Sequence, residues 1–132
     1  MQQLHFMVGD WVGTSTTYKN GAIERQVPAF QKIQYVVDKS IITIDLHSET
    51  LQLHTVIYYD EQEQTYYYNP FYKKGAGKFV AAYVDGRLVV TRNETTRFIF
   101  HQPSKGTFQE YGEKLEDGKW VKYFEDNFKN IQ

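Results

Sequence analysis

Hydrophobic and polar positions alternate with period two along most of this chain. In 51–59, Leu51, Leu53, Thr55, Ile57 and Tyr59 share one face, and Gln52, His54, Val56 and Tyr58 share the other. Ile42, Ile44 and Leu46 oppose Thr43, Asp45 and His47. Leu88, Val90 and Arg92 oppose Val89, Thr91 and Asn93, and Phe98 pairs in parity with Phe100. Successive side chains of a strand point to opposite faces, so this rhythm predicts half-buried strands. Two stretches break the rule. Tyr66-Tyr67-Tyr68 puts aromatics on both faces. In 120–128, Trp120, Lys122, Phe124 and Phe128 share one parity, Val121, Tyr123 and Glu125 the other, and both are partly apolar.

Turn signals punctuate these runs: Lys19-Asn20-Gly21, Asp38-Lys39-Ser40, 60–63, 73–77, Asp85-Gly86, 102–106 and Glu116-Asp117-Gly118, with a hairpin expected at 48–50. Gly, Asn and Asp supply the positive φ that tight hairpins need. The intervals are ten strand candidates: Trp11–Tyr18, Ala22–Val37, Ile41–Ser48, Leu51–Tyr59, Thr65–Phe71, Phe79–Val84, Arg87–Asn93, Arg97–His101, Thr107–Tyr111 and Trp120–Phe128. Such spacing fits a sandwich or a barrel. Short joins favour antiparallel neighbours in chain order, and a meander this long leaves exposed edges unless it closes. The expected fold is therefore all-β: an antiparallel up-and-down barrel of about ten strands. The one helical candidate, Gln2–Val8, would cap an end with Leu4, Met7 and Val8.

Composition agrees. The 132 residues suit one domain spanning 1–132, and 17% are aromatic, with 11 Tyr, 9 Phe and 2 Trp, types that favour strands. Fifteen Lys+Arg against sixteen Asp+Glu leave no basic stripe, which argues against nucleic acid. With no cysteine there is no disulfide frame, Cys-ligated zinc or Cys nucleophile. Neither a signal peptide nor a run of ~20 apolar residues is evident, so a cytoplasmic protein without a membrane span is expected.

The segment Gly9-Asp10-Trp11-Val12-Gly13 opens the first strand. It resembles the N-terminal signature of calycin barrels, the lipocalins, fatty-acid-binding proteins and nitrobindins, in which this Trp plugs the closed end. The ending Asp117-Gly118-Lys119-Trp120, leading to Tyr123-Phe124-Glu125, adds a likeness to an uncharacterised bacterial lipocalin-like family. The resemblance implies a calycin-like barrel with a central cavity, and no settled activity. His47-Ser48-Glu49 is similar to the His-x-Glu of nitrobindins, but their haem needs a His in the final strand, where this chain has none. Haem is therefore disfavoured, and no cofactor is expected. Nor does the carboxylate clamp of fatty-acid-binding proteins carry over, because the last strand lacks Arg.

Three constellations could carry chemistry. His47 and His54 flank the 48–50 hairpin with Asp45 nearby, and could make a base and its orienter; the plainer reading is a solvated outer face, and no third metal ligand is evident. The aromatics Tyr35, Tyr66, Tyr68, Phe79 and Tyr83, with Phe98, Phe100, Phe108 and Tyr123, could wall a cavity or simply fill a core. Arg92, Glu110, Lys122 and Glu125 share faces with apolar residues, so each is a buried charge needing a partner or a charge at the rim. Arg92 with Glu110 and Tyr123 is the expected polar pole of the cavity. Gly75-Ala76-Gly77-Lys78 lacks the spacing of a phosphate loop and reads as a hairpin tip, and Asn93-Glu94-Thr95 fits an N-glycosylation acceptor.

The expected function is binding or carriage of a small apolar or aromatic ligand by a monomer or homodimer. The ligand-binding set is Tyr35, Tyr68, Phe79, Tyr83, Arg92, Phe98, Phe100, Phe108, Glu110 and Tyr123. The alternative is a lyase or isomerase, marked by hydrogen-bonded groups of shifted pKa deep in the cavity. A third reading, an interaction module, would need a flat exposed aromatic patch.

Overall fold

The computed structural model describes residues 1–49 and 51–131; Thr50, within the hairpin read at 48–50, and Gln132 lie outside the described residues. A short 3-10 helix, Gln2–Met7, precedes β1 (Gly9–Lys19), β2 (Ala22–Val36), β3 (Ile41–Ser48), β4 (Gln52–Asp60) and β5 (Thr65–Tyr72). There follow β6 (Gly75–Ala76), β7 (Phe79–Val84), β8 (Arg87–Asn93), β9 (Thr96–His101), β10 (Thr107–Glu116) and β11 (Lys119–Asn130). All ten expected strands are present. The two-residue β6 was not foreseen; it folds the Gly75–Ala76 arm back onto Phe71 and Tyr72.

Neighbours pair antiparallel in chain order, β7 pairing past β6 with β5. The first and last strands meet, Trp11 opposite Asn130 and Ser15 opposite Asp126, and β4 meets β5. The result is a closed ten-strand antiparallel barrel, with β6 outside the ring. Closure leaves the ring no free edge to template aggregation. Among the described residues no helix is long and apolar enough to cross a membrane.

The barrel has a filled end and a hollow end. At the filled end Trp11 is 2% exposed and donates its indole N–H to the Met7 carbonyl at 2.9 Å, tying the 3-10 helix to β1. Leu4 and Met7 are fully buried by this tie. Phe108 is the hub, with ring centroids 5.3 Å from Trp11, 6.2 Å from Phe100 and 6.1 Å from Phe128. Ile33, Ile42, Ile57 and Leu88 complete the plug. The helix is a short 3-10 segment, a form common at connections between elements, and its Val8 cap is already extended where β1 begins.

Gly13 sits where β1 meets β11. A Cβ there would lie 1.7 Å from the Asn127 carbonyl oxygen, so only hydrogen lets the closing strands approach. Gly13→Ala is expected to lower the unfolding free energy by about 3 kcal/mol. Gly75→Ala, where a methyl meets open space, should change it by less than about 0.5 kcal/mol. Urea midpoints of the two variants check this.

Candidate functional site

The hollow half owes its shape to an irregularity in β10–β11. Gly112 faces Phe124, but Glu113 faces Lys122, so Tyr123 is an extra residue on β11. This bulge switches parity along the strand. Tyr123 and Phe124 both turn to the interior, Asp126 follows them inward, and Lys122 and Glu125 turn out. A Cβ on Gly112 would lie 2.3 Å from the Phe124 ring; the glycine is the seat of that ring.

The space they enclose is a cavity of about 280 Å³. Ala29, Leu46, Leu51 and Leu53 from β2, β3, β4 and the turn before β4 form one wall. Tyr68, Phe98 and Phe124 form the opposite wall, with Phe98 centroids 6.4 Å from Tyr68 and 6.0 Å from Phe124. Tyr72 and Leu51, both exposed, stand at the mouth.

Two carboxyl groups lie between the hollow and the plug. Glu110 and Asp126 face each other across β10 and β11, and Ser15 of β1 faces Asp126 on its other side. Glu110 is 8% exposed and Asp126 is 4% exposed. The Gln31 amide donates to Glu110 Oε1 at 3.1 Å. Asp126 Oδ1 and Gln31 Oε1 are buried without a hydrogen-bond partner among the described residues, while the Thr55 hydroxyl stands against the Tyr68 phenol. Burial pushes the Glu110 carboxyl up to about 8, with the Asp126 charge adding to the rise and Gln31 opposing it. Burial likewise pushes Asp126 up to about 6, against the Ser15 hydroxyl beside it. Two like charges this close in an apolar surround cannot both ionise freely, so the pair titrates as a unit. Tyr68 is raised by burial and then by Glu110; Tyr123 is raised by burial, with the Arg92 guanidinium opposing.

Of the ten residues expected to bind ligand, Tyr68, Phe98, Glu110 and Tyr123 line the cavity. Phe100 and Phe108 are buried in the plug beneath it. Phe79 and Tyr83 pack against the core, and Tyr35 accompanies His5, stacked at 5.8 Å and hydrogen-bonded at 3.1 Å. Arg92 is exposed and meets the site only through Tyr123. Tyr123 meets both the Arg92 guanidinium and the Glu110 charge, and Asp126 and Gln31 stand beside Glu110 as well. Asp126 and Gln31 escaped the sequence reading. Strict alternation from Tyr123 places Asp126 outside, and only a bulge at Gly112 reverses it.

Outside the barrel, Lys122 and Glu125 are ion-paired at 2.8 Å, and the Lys122 ammonium lies 4.4 Å from the centre of the Tyr111 ring. Gln109 donates to Glu125 and Asn127, and His101 bonds to Gln109. His54 and Asp45 face each other across β3 and β4 at 2.6 Å, well exposed, on the outer face. His47 is exposed on the same face. Among the described residues no three His, Asp or Glu side chains gather as a metal site. The Asn93 side-chain oxygen accepts from the Thr95 N–H at 2.9 Å, closing the β8–β9 turn.

No family model matches the chain, and no curated protein does. Among solved structures, it is similar to a protein of unknown function from the DUF3598 family of Nostoc punctiforme. That match is at 6% identity over 99% of each chain, with a TM-score of 0.33. At that score the likeness carries no argument about fold or activity, so the site stands on its own geometry.

The raised carboxyls make stability depend on pH with a definite sign. A folded-state pKa above the unfolded value means the native protein holds its protons more tightly. That contribution is fully present below about pH 4 and is lost as pH rises through about 6 and then 8. The loss is on the order of a few kcal/mol. Thermal melts should show Tm falling between pH 5 and pH 8.5. Glu110→Gln should flatten that slope and raise Tm at pH 8.5.

Proposed function

We propose that this barrel binds or carries a small, largely apolar molecule in the hollow half, with a polar group of that molecule turned toward Glu110 and Asp126. One observation carries the reading: the cavity joins aliphatic and aromatic walls to two buried carboxyl groups, Glu110 and Asp126, and Asp126 Oδ1 has no hydrogen-bond partner among the described residues. Apolar enclosure with a few convergent polar groups is the usual make-up of a ligand site. The calycin-like opening and ending of the chain support the same reading. At about 280 Å³ the space is at the small end of ligand pockets, ~300–1,000 Å³. It suits one ring or a short chain and is too small for a haem.

The magnitudes say that apolar burial does not suffice. A ring burying about 150 Å² gains about 4 kcal/mol at ~25 cal/mol per Å². Association consumes at least about 4 kcal/mol. Net affinity must come from the polar end.

Native mass spectrometry of freshly expressed protein tests for a retained ligand. An NMR titration with 2-phenylethanol is expected to move amide signals of Leu46, Leu53 and Phe98 and to spare those of Leu4 and Trp11. Leu53→Trp, which puts an indole into the cavity, should abolish these shifts while leaving the fold's spectrum intact. Absence of saturable binding in the wild type would contradict the reading.

The acid pair also favours a second reading, a lyase or isomerase. A carboxyl titrating near neutrality is suited to moving a proton at a bound carbon. Incubating the recovered ligand with the protein in D₂O separates the two: deuterium entering a C–H position marks catalysis, and an unchanged ligand spectrum marks carriage.

A further inference from the structure

We infer that the cavity selects small aromatic or aliphatic ammonium ions, the cationic head held between Glu110 and Asp126 and the apolar body against the Leu and Phe walls. This rests on reading the cavity as a ligand site, and specifies the chemistry that the site takes.

The argument starts from donors and acceptors. Gln31 already gives an N–H to Glu110. The Ser15 hydroxyl meets the Asp126 carboxyl; what remains unpartnered is Oδ1 of Asp126, a residue lining the cavity, and Oε1 of Gln31, whose amide nitrogen holds Glu110. Both are acceptors. A buried acceptor is satisfied only by a donor, and a lone buried charge only by an opposite charge. Two carboxyls lie in register on neighbouring strands, and no cation is among the described groups acting on either. An ammonium supplies three donors and the missing charge together. A carboxylate ligand brings a third negative group and no donor. An alcohol brings one donor and no charge.

The walls agree with this. Tyr68, Phe98 and Phe124 present rings to the same space, and ring faces attract cations, more so where water is excluded. The other titratable groups around the pair do not replace the cation. Tyr68 from β5 and Tyr123 from β11 are raised by burial, and Glu125 turns outward to Lys122. Arg92 from β8 stands at the rim beside Tyr123.

Three matched probes test the inference on the purified protein by calorimetry at pH 7.5: 2-phenylethylammonium, 2-phenylethanol and phenylacetate. The ammonium is expected to bind at least tenfold more tightly than the alcohol, and phenylacetate not to saturate. Ammonium affinity should rise between pH 6 and pH 8, as the pair gives up its proton, while alcohol affinity does not. Asp126→Asn should remove the ammonium preference and keep alcohol binding. Equal binding of ammonium and alcohol, preference for phenylacetate, or an ammonium affinity indifferent to pH would overturn the inference while leaving the cavity a ligand site. Failure of all three probes would overturn both; the wild-type pH series decides the matter even if the variant does not fold.

Discussion

Ring closure is the constraint on which everything else depends. Once β1 pairs with β11 and β4 with β5, ten strands enclose an interior whose width is set by backbone geometry and not by the side chains within it. The chain fills one half with its largest residues. Trp11, Phe100, Phe108 and Phe128 interlock, and the 3-10 helix seals them from below. In the other half it does not. Ser15, Thr17, Ala29 and Ser48 project short side chains at the level where a filled core needs large ones. The hollow is thus a consequence of residue size at defined registers, under a closure that Gly13 makes sterically possible.

Between the halves the protein keeps groups that a purely structural interior would shed. Buried carboxyls are destabilising unless compensated, and an apolar replacement of similar shape is often as stable or more so. Gln31 meets part of the need of Glu110; nothing among the described residues meets that of Asp126 Oδ1. The strain is local and lies at the floor of the space open to a ligand. Such a position is expected of groups kept for what they bind or move.

Architecture was legible in the sequence and chemistry only in part. Alternation in 41–48 and 51–59 placed Ile42, Ile44, Leu46, Leu53, Thr55 and Ile57 on their inward faces, and the pairing of β3 with β4 keeps them there. The Asn20-Gly21, Asp85-Gly86 and Asp117-Gly118 turns all have positive φ at both residues, as the dipeptides suggested. The site was harder because it turns on one bulge. Tyr123 and Phe124 occupy opposite parities in any regular strand, and only the absence of a side chain at Gly112 lets both rings face inward. Reading through the bulge as if it were regular strand puts Lys122 and Asp126 on one face, whereas the bulge turns Lys122 out and Asp126 in. Gln31 was overlooked for a different reason: an amide on the apolar face of β2 carries no signal until its partner, on β10, is known.

The most direct test of this account is a carbon-detected NMR pH titration of the side-chain carboxyls of Glu110 and Asp126. Burial of both carboxyls beneath a hollow barrel predicts coupled midpoints near 8 and 6, both moving down when a cationic ligand is added. Independent midpoints below about 4.5 for both groups, the ordinary carboxylate range, would mean that water reaches them freely, and would contradict it.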